Sequence, residues 1–173
     1  MIAEAVDDYG IHAVIDMCLA LLEGNTDYEL LPLPLSYLGG AQAVSALGRD
    51  PHLAAREQNY WPRVWAARGL RYVWMSYAEP GVVAALRDPA WRVREMAAKV
   101  VAQRELSSAA DALVPLLTGS TARARVAAIR AIGLVGRDEH AELIADLDAN
   151  ETTVRIALEG ARRRLRLRLA RAR

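Results

Sequence analysis

Apolar residues recur at three- and four-residue intervals along most of this chain, and that rhythm is helical. Between residues 2 and 23, Ile2, Val6, Ile11, Val14, Ile15, Cys18, Leu19 and Leu22 form one stripe, with Asp7 and Asp8 on the polar side. A first helix is expected there, weakened near Gly10 and stopped by Gly24-Asn25. The apolar stretch 28–38 carries Pro32 and Pro34, which cannot both sit inside a regular helix. A short helix over 41–47, a turn over 48–51 and a partly exposed helical segment over 52–60 follow. Pro62 suits the first turn of a helix that runs to about Tyr77. Glu79-Pro80 opens the next, over 82–86, and Asp88-Pro89 caps a helix from Ala90 to about Arg104. Further helices are predicted from Ser107 or Ser108 to Leu117, kinked by Pro115, and from Thr121 to Val135. After Gly136 a helix reaches about Leu147, and a last one runs from Asn150 or Thr152 towards Arg173. Loops of two to five residues make consecutive helices antiparallel neighbours.

The pattern also repeats on a longer scale. Val93-Arg94-Glu95-Met96-Ala97-Ala98 is echoed by Ala124-Arg125-Val126-Ala127-Ala128-Ile129. Arg63, Arg94, Arg125 and Arg155 recur at spacings of 31, 31 and 30 residues, each followed by small or branched apolar residues. A period of that length marks stacked helical units that bury their faces against one another. The expected fold is therefore all-α, an α-solenoid of antiparallel helix pairs. Residues 1–38 would form an acidic N-terminal helical cap. Residues 39–173 would form the repeat array, closed by an Arg-rich capping helix. Ala66, Leu70, Val73, Ala97, Val101, Ala128, Ile132 and Val135 are its expected core.

Composition agrees with close-packed helices, since hydrophobic residues make up 53 % but aromatic residues only 6 %, with no Phe. The net charge of +1 conceals a division. Residues 1–50 hold eight acids and one Arg, whereas residues 51–173 hold thirteen acids and twenty-one bases. Such a split suggests a polarised binding surface or compensation between the ends of a rod. A single cysteine, Cys18, forms no intramolecular disulfide, and the first ten residues do not read as a signal peptide. No uncharged apolar stretch approaches a membrane span, so a cytoplasmic location is expected.

The Arg94 and Arg125 motifs, together with Ala131-Ile132-Gly133-Leu134-Val135-Gly136, resemble HEAT repeats, including the HEAT-like form of phycobilin-lyase-type proteins. The likeness extends over about residues 39–165. It implies that the repeat arginine pairs with an acid six residues earlier and with nearby backbone. Asp88 before Arg94 and Glu57 before Arg63 fit, but Gly119 and Ala149 stand in that place before Arg125 and Arg155. The resemblance also implies that the helix after each such corner lines a concave surface.

A second ladder, Arg68, Lys99 and Arg130, is again spaced by 31 residues, and Trp61, Arg92 and Arg123 precede its members by two helical turns. With Trp61 and Tyr72 expected to be exposed, Trp61, Arg68, Tyr72, Arg92, Lys99, Arg123 and Arg130 are the candidate partner-binding residues. An acidic or amphipathic protein segment fits such a surface, and a phosphate backbone is the alternative. The Arg-rich tail 161–173 reads as a solvated outer face or as a second basic patch. Catalysis is poorly supported. His12, His52 and His140 are isolated, no metal-ligand spacing occurs, and Cys18 lies on an apolar stripe. HEAT-like folds include DNA glycosylases, yet near the Trp and Arg residues only Glu95 or Asp88 offers an acid. The reading is a non-catalytic protein-interaction module with no metal or cofactor. A nucleic-acid binder comes second, and a glycosylase or lyase-type enzyme is a distant third.

Overall fold

The computed structural model describes residues 1–25, 27, 30–41, 43, 60–119 and 121–172. Every regular element among them is helical. The expectations for 44–60 therefore lie almost wholly outside the described residues. The chain divides into two compact units, Met1–Ala85 and Leu86–Arg173.

In the first unit, α1 spans Ile2–Leu22, α2 Ser36–Gly39, α3 Trp61–Gly69 and α4 Glu79–Ala85. Gly10 breaks α1 with φ 84° and ψ 154°, a conformation that a side chain would strain. The break turns the two halves of the helix differently. Val14, Ile15, Met17, Cys18 and Leu21 are buried after it, whereas before it Ala5 alone is fully buried and Ile2 and Val6 are half-covered. The two-proline stretch is irregular until α2, as expected.

The helix from Trp61 is shorter than predicted and ends at Gly69 instead of near Tyr77. Tyr72 N–H donates to Gly69 O at 2.8 Å, so the chain turns back at once. The bulky run Tyr72-Val73-Trp74 is a poor continuation, because aromatic and β-branched side chains crowd the preceding helical turn. A 3₁₀ turn, Ser76–Ala78, then leads into α4.

The second unit holds α5 Trp91–Arg104, α6 Ala110–Leu117, α7 Ala122–Val135, α8 Asp138–Asp146 and α9 Thr152–Ala172. Helix α7 packs against α5, α6 and α9, which is the neighbour-on-neighbour stacking of an α-solenoid. Each of the eight residues expected in the core is buried, from Ala66 to Val135. Alanines at these positions let helix axes approach closely. Backbone meets backbone closely at Gly133, where an added Cβ would stand 2.8 Å from Ala161 Cα of α9.

The repeat arginines show how the corners are fastened. Arg94 donates from Nη1 to the carbonyls of Asp88 (2.6 Å) and Pro89 (2.8 Å), and Arg125 donates to that of Gly119 (2.6 Å). The partner six residues back is thus a backbone oxygen, which Gly119 supplies as well as Asp88 does. Asp88 spends its carboxylate locally, accepting the Ala90 N–H at 2.7 Å ahead of α5. Arg125 also reaches Glu151 in the next corner, while Arg155 is exposed. Arg162, read from sequence as part of the basic tail, does similar work. It donates to Ile144 O (2.7 Å), Ala145 O (3.0 Å) and Leu147 O (2.5 Å), satisfying the C-terminal carbonyls of α8.

Candidate interaction surface

Four of the seven candidate residues lie in the second unit, on α5 and α7. Trp91 opens α5 half-buried, with the Arg92 guanidinium 4.5 Å from its ring centroid and that of Arg123, from α7, 5.9 Å away. Both distances fall within cation–π range. One turn along α5, Glu95 is 6 % exposed. Its Oε1 accepts from Lys99 Nζ at 2.7 Å and lies 3.4 Å from Arg123 Nε. A carboxylate so shielded needs a counter-charge, and Lys99 and Arg123 provide two. Glu95 therefore acts as a clamp from beneath, holding cations of two helices side by side. Arg130 is exposed two turns further along α7. The structure brings Arg92, Lys99 and Arg123 together around Trp91 and Glu95.

The other three lie in the first unit and do different work. Trp61, expected to be exposed, is half-buried, with ring centroids 5.3 Å from Tyr60 and 6.4 Å from Trp65. Trp65 itself is buried. Arg68 donates from Nη2 to Leu38 O at 2.7 Å and so ties α3 to α2. Tyr72 is 68 % exposed, in agreement with expectation. Arg68 and Tyr72 share the wall of a cavity of about 780 Å³ with Ile2, Val6, Ile11 and Val73.

Sequence reasoning missed Trp91 as the centre of the second-unit cluster. The signal lay in Trp91-Arg92, one residue off the repeating ladder, with Glu95 one helical turn beyond. It also missed the cluster of Asp111, Glu139 and His140, whose possible ligand atoms lie within 4.8 Å of one another. Arg137 occupies the cationic position there, donating to Asp111 at 2.8 and 3.0 Å and to Glu139 at 2.6 Å. Its hydrogen bond holds the Asp111 carboxyl below the usual range. Glu139 is lowered too, first by its own backbone N–H and then by Arg137. His140, 1 % exposed, accepts the Arg137 backbone N–H at Nδ1 (3.2 Å), which leaves the ring proton on Nε2. That nitrogen lies 3.2 Å from Asp111 Oδ1, out of line for a good hydrogen bond, and offers no lone pair to a metal in this tautomer. The arrangement is a helix cap joined to an ion-pair network.

Cys18 is buried and burial pushes its thiol up to about 12, which disfavours the nucleophilic thiolate. Among the described residues no helix is long and apolar enough to cross a membrane.

Comparison with known families matches residues 51–133 to HEAT repeats, a class that generally mediates protein interaction or scaffolding. The match does not single out the phycobilin-lyase-type form. Comparison with curated proteins and with solved structures finds no match. The matched span contains α3, α4, α5 and α6 and ends within α7 at the close-packed Gly133, and it includes the Arg94 and Arg125 corners. Residues 51–133 of the chain are HEAT repeats.

Proposed function

We propose that the chain is a non-catalytic interaction module that holds an acidic or amphipathic segment of a protein partner on the α5–α7 surface. The observation that carries this reading is the Trp91 ring flanked by Arg92 and Arg123, with Glu95 holding Lys99 and Arg123 beside it. Trp and Arg are the residue types that dominate protein interfaces. Cations already held in place lose less freedom on binding than free ones. Arg130 extends the basic surface along α7, and Trp61, Arg68 and Tyr72 are proposed to contribute in the first unit. The HEAT resemblance implies that such helices line a concave face. The proposed setting is the cytoplasm, where a lone buried thiol stays reduced.

Nucleic acid is the competing ligand. Against it, residues 1–50 carry a strong negative excess. A labelled duplex, a labelled single strand and a Glu-rich peptide containing one aromatic residue, titrated at two salt concentrations, separate the two. The peptide is expected to bind, and Trp91→Ala with Arg123→Ala to weaken it at least tenfold. Submicromolar duplex binding at physiological salt would overturn the reading. So would a log–log salt slope near −4.5, the value for about five phosphate contacts at ~0.9 each.

A further inference from the structure

Helix α9 presents a face that its own unit does not use. Val154, Ala157, Leu158, Ala161 and Leu165 are buried on one side. On the other, Ile156 and Leu167 are 58 % and 57 % exposed. Arg163 lies between them at helical spacing, flanked by Arg155, Glu159 and Arg166, all exposed. Across Thr152–Ala172 seven arginines oppose one glutamate. Arg162 is taken up by the carbonyls of α8, so the outward charge comes from the others.

Helix α1 is the counterpart in charge. It carries Glu4, Asp7, Asp8 and Asp16 and no Lys or Arg. Glu4, Asp7 and Asp8, one turn apart and all exposed, share the outer face ahead of the Gly10 break. Tyr9, 43 % exposed, packs edge-on against Tyr37 beside them. Each of these helices therefore offers an exposed face with an excess of one charge, Arg over Glu159 on α9 and acids over the N-terminal amine that pairs with Glu4 on α1, with apolar or aromatic side chains set into it.

We propose that the α9 face of one copy of this chain docks on the α1 face of a second copy, in a heterologous, head-to-tail contact. Two different patches meet, so a docked pair leaves one patch of each kind free and the contact propagates. A helix of 21 residues is about 30 Å long and its outer face covers on the order of 300 Å². Stable interfaces bury about 800 Å² per partner, so the contact belongs to the weak class and rests on charge. It is independent of the binding reading for α5 and α7.

Sedimentation velocity on the full chain over a range of concentrations tests this at about 0.01 M and about 1 M salt, where the screening length is ~30 Å and ~3 Å. Two variants are compared, Glu4→Lys with Asp7→Lys and Arg163→Glu with Arg166→Glu, each checked for native helicity. The wild-type chain is expected to associate with rising concentration at low salt, at least tenfold more strongly than at high salt. Each variant alone is expected to stay monomeric, because one of its patches is reversed. Their equimolar mixture is expected to recover association, since the intact α9 face of one variant meets the intact α1 face of the other and the two reversed faces are again of opposite sign. Should a variant lose helicity, the neutral pair Glu4→Gln with Asp7→Asn replaces it and weakens association by a smaller factor. The proposal is overturned if the wild-type chain stays monomeric at low salt up to about 1 mM. Association that survives high salt, variants that associate like wild type, or a mixture that stays monomeric would each overturn it as well.

Discussion

Two glycine-to-alanine substitutions, equivalent by helix propensity, are predicted to move stability in opposite directions. Gly133 lies inside α7 and Gly160 inside α9. Alanine is about 0.8–1.0 kcal/mol better than glycine in a helix interior, so both changes begin with a gain. At Gly160 nothing lies within 4 Å of the new Cβ, and the gain should be kept. At Gly133 the new Cβ would stand 2.8 Å from Ala161 Cα and 3.0 Å from Ala161 Cβ. Ordinary carbon contacts are about 3.5–4.0 Å, so α9 must move several tenths of an ångström. Ala161 is backbone in the middle of a 21-residue helix, and Arg162 beside it is fastened to three carbonyls of the α8 end. That shift cannot be absorbed by one flexible side chain. Overpacking of this kind costs about 1–3 kcal/mol, which offsets the propensity gain and leaves a net loss of up to about 2 kcal/mol. For a chain of this size each kcal/mol moves Tm by about 2–4 °C. Thermal melts followed by circular dichroism should show Gly133→Ala lower by up to about 8 °C and Gly160→Ala unchanged or higher. A Gly133→Ala melt at or above wild type would refute the packing derived for α7 and α9.

The corner arginines give a second prediction: Arg125→Met, which keeps the aliphatic stem but loses the bond to Gly119 O, should cost about 1–3 kcal/mol in a denaturant melt. An unaffected midpoint would show that the carbonyl bond contributes nothing net. Cys18, buried and with its thiol pushed up to about 12, should resist a disulfide reagent at pH 8 in the native state and react once denaturant is added; rapid native labelling would contradict its placement. Asp111 and Glu139 have folded pKa values held below their ordinary ones, so their stabilising effect is present at neutral pH and lost as pH falls below about 4. Both are exposed and screened, so the effect should be small, and Arg137→Met should flatten the fall of Tm in that range.

The helical periodicity and the 31-residue spacing were enough to place the core, because small apolar residues repeating on one face have one way to be buried. Three features resisted such reading. The helix from Trp61 ends early because Tyr72-Val73-Trp74 cannot continue it without crowding, whereas an apolar count sees only more core. The missing acids before Arg125 and Arg155 read as gaps in a ladder, yet at Arg125 the bond is to a backbone carbonyl, and backbone carries no sequence signature. Arg162 looked like one solvated tail residue among seven, and only the position of the α8 end distinguishes it from Arg163. The candidate surface was partly legible: the ladder identified Arg92, Lys99 and Arg123. It overlooked Trp91 and Glu95, which follow no 31-residue repeat, and it grouped Arg68 with the others although Arg68 fastens α3 to α2.

The Trp91–Arg92–Arg123 surface, with Glu95 beneath it, is proposed to take an acidic protein segment. Selection from a displayed random-peptide library at physiological salt tests it most directly, with the wild-type chain as bait and the Trp91→Ala, Arg123→Ala chain as counter-bait. The account predicts enrichment of peptides combining Asp or Glu with an aromatic or aliphatic anchor, at least tenfold weaker on the double variant. Peptides without acidic residues, or acidic peptides that bind the double variant equally well, would contradict it.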